Sequence, residues 1–200
     1  MGLDSGPAAG TAELVAPGGR DVVFSEDGTT VAYRSAWNGH GTPDTNGTFD
    51  VFVQDLASGD ATLVSADAAG AATGNGFSLV PSLSDDGTKV SFVSSATNLG
   101  PVDTTLCTRW ELPPRPLPPR QYQVNCPDVY VRDLVAGTTT LVSTRADRLH
   151  SANEESTRAL FLPGTADELV FVTYASDIDP LDAQHEADIY LAHLTDADSP

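Results

Sequence analysis

Apolar residues along this chain fall in short runs separated by Gly, Pro, Asp and Ser, and no run repeats at helical spacing with caps. The segments FSLVPSLS from Phe77, KVSFVSS from Lys89, DVYVRDL from Asp128 and TTTLVST from Thr138 each read as a strand rich in β-branched and aromatic residues. Turn signals stand between such segments: Asp27-Gly28 and Asp86-Gly87, then Ser58-Gly59 and Ala136-Gly137. One strand type departs from simple alternation. Val51-Phe52-Val53, Val129-Tyr130-Val131 and Ile189-Tyr190-Leu191 are apolar at consecutive positions. Neighbouring side chains in a strand point to opposite faces, so this pattern predicts sheets covered on both sides.

The pattern is also repetitive. DVFVQDLASGDATLVS, Asp50 to Ser65, returns as DVYVRDLVAGTTTLVS, Asp128 to Ser143, and in decayed form as ADIYLAHL, Ala187 to Leu194. A second phrase precedes it each time: SEDGTTVAYRS from Ser25, SDDGTKVSFVSSATNL from Ser84 and GTADELVFVTYASDID from Gly164. The aspartates that open the first phrase, Asp50, Asp128 and Asp188, are 78 and 60 positions apart. A short acidic loop spans Asp44 to Asp50 and Asp182 to Asp188, whereas the matching pair in the middle unit, Asp103 and Asp128, is 19 positions wider. The underlying period is therefore about 60 residues with one insertion. Small four-stranded sheets stacked face to face, the blades of an all-β propeller, meet these requirements.

Here the chain resembles the TolB-like propellers built of WD40-like repeats of the PD40 type. The resemblance rests on S-x-D-G-x-x-V-x-[FY]-x-S at Ser25–Ser35 and Ser84–Ser94, on Pro81-Ser82, on Ala96–Leu99 (ATNL), and on D-V-[FY]-V-x-D-L followed by Thr-Leu-Val-Ser. It covers roughly residues 11–194 and is weakest in the third unit, where Asp167-Glu168 replaces Asp-Gly and Ala192-His193 replaces the polar-Asp pair. It implies a platform for protein interaction or, in propellers fused to enzymes, a gate for substrates.

The expected organisation is a flexible N-terminus at 1–10, a three-blade domain at 11–194 with an insertion at 104–127 in its second blade, and a tail at 195–200. The opening segment TAELVA, Thr11–Ala16, matches the fourth strand of the other units, and the last unit ends on its third, giving twelve expected strands. Three blades are too few for a ring, since propellers have about 4 to 8. Either two chains form a six-bladed homodimeric ring, each opening strand completing the other's last blade, or the chain is a piece of a larger propeller.

Composition narrows the partners. There are 28 Asp and Glu against 10 Lys and Arg, a formal charge of −18, which repels phosphate backbones and anionic membranes. Nucleic acid and membrane insertion are excluded as expectations; no run of about 20 apolar residues exists. Neither a basic n-region nor an apolar h-region opens the sequence, so no signal peptide is read in it. The insertion carries both cysteines, Cys107 and Cys126, around the proline-rich segment Pro113–Arg120. A disulfide closing this loop would contribute roughly 3 kcal/mol and would imply a periplasmic, cell-surface or extracellular location. Two free thiols in a cytosolic protein are the alternative. The segment between them is expected to be extended polyproline without strand pattern. Arg109, Trp110, Arg115 and Arg120 make the insertion a basic, aromatic candidate binding loop on an acidic protein.

Asp44, Asn46, Thr48 and Asp50 place side-chain oxygens at alternate positions of a glycine-containing loop, a weak calcium signature; Asp182 and Asp188 offer a poorer one. The competing reading is a loop of Asx-turns that bond their own backbone. No GxSxG, HExxH, phosphate loop or GxGxxG occurs. His40 and His185 sit before third strands in two units and could share a rim. The leading expectation is a non-catalytic module that binds a protein or a glycan. A lyase or hydrolase using histidines and carboxylates at a channel mouth, and a calcium-stabilised structural repeat protein, are the contrasting ones.

Overall fold

The computed structural model describes residues 12–37, 39, 41, 43–100, 105–111, 120–182 and 186–194. Among them every regular element is a strand, and all pairing is antiparallel. The first sheet runs β1 (Arg20–Phe24), β2 (Thr30–Ser35), β3 (Asp50–Asp55), β4 (Ala61–Leu63) in chain order. The second repeats it with β5 (Ser78–Leu83) and β6 (Lys89–Ser94), then β9 (Asp128–Asp133) and β10 (Thr138–Leu141). The third holds β11 (Ser156–Phe161), β12 (Glu168–Thr173) and β13 (Asp188–His193). Between β6 and β9 stand β7 (Leu106–Glu111) and β8 (Arg120–Asn125), paired only with each other.

The repeated phrases are turn chemistry. Ser25 Oγ donates to Asp27 at 2.7 Å, that carboxylate accepts from Thr29 N at 3.0 Å, and Gly28 takes the left-handed conformation that closes the turn. Ser84, Asp86, Gly87 and Thr88 repeat this between β5 and β6. At the outer hairpins Asp55 caps the amides of Ala57 and Ser58, and Asp133 caps those of Val135 and Ala136, each ahead of a left-handed glycine.

Each sheet has an aromatic face and a β-branched face, because its two inner strands set one ring opposite another. Tyr33 pairs with Phe52, Phe92 with Tyr130 and Phe171 with Tyr190, with ring centroids 5.7–5.9 Å apart. The aromatic face of the second sheet (Val90, Phe92, Tyr130, Leu141) packs on Ala32, Val51, Val53 and Val64 of the first. Val93, Val129 and Val131, on the second sheet's other face, pack on Ala159, Leu169 and Phe171 of the third. The sheets thus stack head to tail in a propeller-like order. The first sheet's aromatic face, Val31, Tyr33, Phe52 and Leu63, points away from this stack and forms a third cluster with Ala16 against it.

Two expectations are corrected. Ala12–Ala16, read as an outer strand, forms none, and among the described residues the third sheet has three strands. The reason is placement: a turn at Pro17-Gly18, closed by Gly19 N to Ala16 O at 3.2 Å, feeds the segment into β1, and the second sheet lies between that sheet and β13. The insertion, read as lacking strands, is a hairpin in which Leu106 faces Asn125 and Glu111 faces Arg120. Its flanks, Leu-Cys-Thr-Arg-Trp and Gln-Tyr-Gln-Val-Asn, pair across the proline-rich segment and so satisfy their backbones.

Candidate functional site: a hollow beneath the inserted hairpin

Cys107 and Cys126 form the expected disulfide, with Cα atoms 4.9 Å apart, and it fixes the base of the hairpin to the start of β9. A second tie joins the hairpin to the third unit. Thr105 and Ser151 hydroxyls meet at 2.7 Å, and Arg109 forms an ion pair with Glu155. These ties hold the hairpin over the loops that lead into β5 and out of β6, leaving a hollow of about 590 Å³ between them.

Its floor depends on close backbone approach. A Cβ at Gly76 would lie 2.6 Å from Ser95 Oγ and 2.7 Å from Ala96 N, so only glycine lets the two loops meet there. Asn75 and its neighbours cross-link the same loops: Asn75 Nδ2 donates to Thr97 Oγ1 at 2.9 Å, and Thr97 N donates to Asn75 Oδ1 at 2.8 Å. Phe77 and Tyr122 bring rings to the lining, Asn75, Gln123 and Asn125 bring amides, and Thr48 and Ser95 bring hydroxyls. Among the described residues Arg109 is the one charged lining residue, and Glu155 balances it. On a chain of charge −18, no described residue of the walls brings a carboxylate.

The hairpin therefore contains part of the expected binding loop. Arg109 lines the hollow, Trp110 lies in β7 opposite Gln121, and exposed Arg120 opens β8. Arg115 and the rest of the proline-rich segment lie outside the described residues. Phe77, Asn75, Tyr122 and Asn125 were not singled out from sequence. The alternation in Gln-Tyr-Gln-Val-Asn was the available signal, obscured by the prolines beside it.

The acidic loop of the first unit adjoins this floor. Asp44 Oδ1 accepts from Asn46 N at 3.0 Å and Gly47 N at 2.8 Å, and Asn46 Oδ1 accepts from Thr48 N at 2.7 Å. Asn46 Nδ2 donates to Gly74 O at 2.6 Å, to Gly76 O at 3.1 Å and to Asp50 at 3.2 Å. The loop's side chains are engaged in Asx-turns and in bracing the glycine loop, the alternative held beside calcium. Burial pushes the Asp50 carboxyl up to about 7 and Asp44 adds to the shift, while Asn46 and Ser65 oppose it. In the third unit, Asp188 begins β13, and Asp182 accepts from Tyr190 Oη at 3.2 Å. Burial and that carboxylate hold the Tyr190 phenol up at about 12. Among the described residues no three His, Cys, Asp or Glu side chains gather as a metal would require. His40 and His185 lie outside the described residues. His150 and His193 each pair with a nearby carboxylate, Asp147 and Glu168, at exposed positions.

No family profile matches the chain, and no curated protein matches it. Among solved structures it is similar to TolB from Acinetobacter baumannii, at 16% identity over 88% of this chain and 30% of that one, with a TM-score of 0.47. It is also similar to dipeptidyl peptidase 4 from Porphyromonas gingivalis, at 17% identity over 86% and 23% of the two chains, with a TM-score of 0.46. The tricorn protease is a third such structure, at 11% identity over 79% of this chain and 11% of that one, with a TM-score of 0.43. The chain spans less than a third of the length of each of these.

Proposed function

We propose that the three sheets are blades of a TolB-like propeller acting as a non-catalytic binding module, and that the hollow beneath the hairpin receives a neutral glycan. The observation that carries this reading is the chemistry of the lining. Among the described residues, two aromatic rings, three amides and two hydroxyls surround a site whose single cation is already paired. Those residues offer an anionic ligand no unbalanced positive charge. A sugar ring offers hydroxyls to the amides and an apolar C–H face to Phe77 and Tyr122, the combination of apolar wall and few placed polar groups typical of small-ligand sites. The disulfide supports a location in an oxidising compartment of the cell envelope or outside the cell.

Binding of the purified chain to an array of neutral and acidic oligosaccharides tests this. Neutral glycans should be retained, and Tyr122→Ala should weaken retention at least about tenfold, the loss of one aromatic contact and its buried area. Retention of acidic glycans alone, or of none by a folded chain that instead captures a protein partner, overturns the glycan reading.

A further inference from the structure

We propose that the hollow beneath the hairpin selects N-acetylated amino sugars, reading the acetamido group with Gln123, Asn125 and Leu106. This rests on the glycan reading above and narrows it to one class of sugar.

Hydrogen-bonding capacity decides selectivity here, and most polar side chains of the lining have already spent theirs within the chain. Thr48 Oγ1 donates to Asn46 Oδ1 at 2.9 Å, both ends of the Asn75 amide are taken by Thr97, and Arg109 pairs with Glu155. Ser95 and Tyr122 bring hydroxyls that any sugar can engage. The hairpin keeps something more selective. Gln123 Nε2 donates to Thr108 Oγ1 at 2.8 Å, which leaves the Gln123 carbonyl oxygen as an acceptor. Asn125, half-buried at the end of β8, carries a carboxamide with no hydrogen-bond partner among the described residues.

Three groups then stand in a fixed order. Gln123 and Asn125 are alternate residues of one strand, so their side chains leave the same face, roughly 7 Å apart along it. That separation is one that an amide group bridges with a hydrogen bond of about 2.9 Å at each end. Leu106 is the register partner of Asn125 across the hairpin, which puts its side chain beside that carboxamide on the same face. It is 55% exposed and belongs to none of the three core clusters, so the fold itself does not use it. Acceptor, donor and apolar contact follow one another, and an acetamido group presents their complements in the same order. Its N–H donates to Gln123 Oε1, its oxygen accepts from Asn125 Nδ2, and its methyl group covers Leu106. A hydroxyl in place of the acetamido group reaches one of the two amides and leaves Leu106 in water.

Isothermal titration calorimetry of the full chain with tri-N-acetylchitotriose and with cellotriose tests this, because the two share their linkage and differ only in acetamido against hydroxyl on each ring. The N-acetylated trisaccharide should bind about tenfold tighter, the contribution of one net hydrogen bond and a buried methyl group. Asn125→Ala and Leu106→Ser, each checked for an unchanged melting temperature, should reduce that ratio to about threefold or less. A merely structural loss would lower both affinities and leave their ratio as it was. Equal affinities, or tighter binding of cellotriose, overturn the acetamido assignment while the glycan reading stands. A preference that both variants leave intact overturns it as well. So does a folded chain that binds neither trisaccharide, and the oligosaccharide array then decides separately whether the hollow takes any sugar.

Discussion

Asp50, Asp128 and Asp188 hold the same position in three repeats, and what differs around them is the outer strand. In the first sheet Ser65 follows β4 and donates to Asp50 at 3.2 Å while accepting from Val51 N at 3.0 Å. Ser143 does the same for Asp128 at 2.6 Å and Val129 N at 2.9 Å. Both aspartates are buried; Asp188, with no such serine beside it among the described residues, is half-exposed. The comparison separates two jobs of the repeat. The inner strands carry the stack of rings, which persists in the third sheet as Phe171 on Tyr190. The serine that follows the outer strand withdraws the aspartate from water, while the β-branched faces of the first two sheets are buried by the sheet that stacks on each.

The largest effect should come from the charge on Asp50. Its folded pKa of about 7 lies above the ordinary 3.8, so the folded protein holds a proton that the unfolded chain releases. The stability this carboxyl contributes is complete below about pH 4 and is lost as the pH rises through 7. Asp50→Asn should therefore raise the melting temperature relative to wild type at pH 8 and not at pH 4. An equal change at both pH values would mean that burial does not hold a proton on this carboxyl.

Next in size is the residue after each aspartate. Val129 is fully buried and Ile189 is 74% exposed at the equivalent position. Val129→Ala should cost about 2 kcal/mol at any protein concentration, through lost burial and the cavity left behind. Ile189→Ala should leave the single chain within about 0.5 kcal/mol. Comparing the two melting temperatures separates a buried from an exposed copy of the same position. Ser143→Ala comes third, at about 1.5 kcal/mol, because it removes a partner from a buried carboxylate and from Val129 N together.

The same contrast explains what could be read in advance. Strand identity, turn chemistry and the disulfide are local, and Ser-x-Asp-Gly or Asp-Leu-x-x-Gly announces them in a few residues. The hollow is not local. It needs Gly76 beside Ser95 and a hairpin folded over both, and none of these adjoin in sequence. TAELVA shows the limit most clearly. Its composition is that of an outer strand, but a strand also requires an edge, and the turn at Pro17-Gly18 leads this segment into β1, with the second sheet between it and β13.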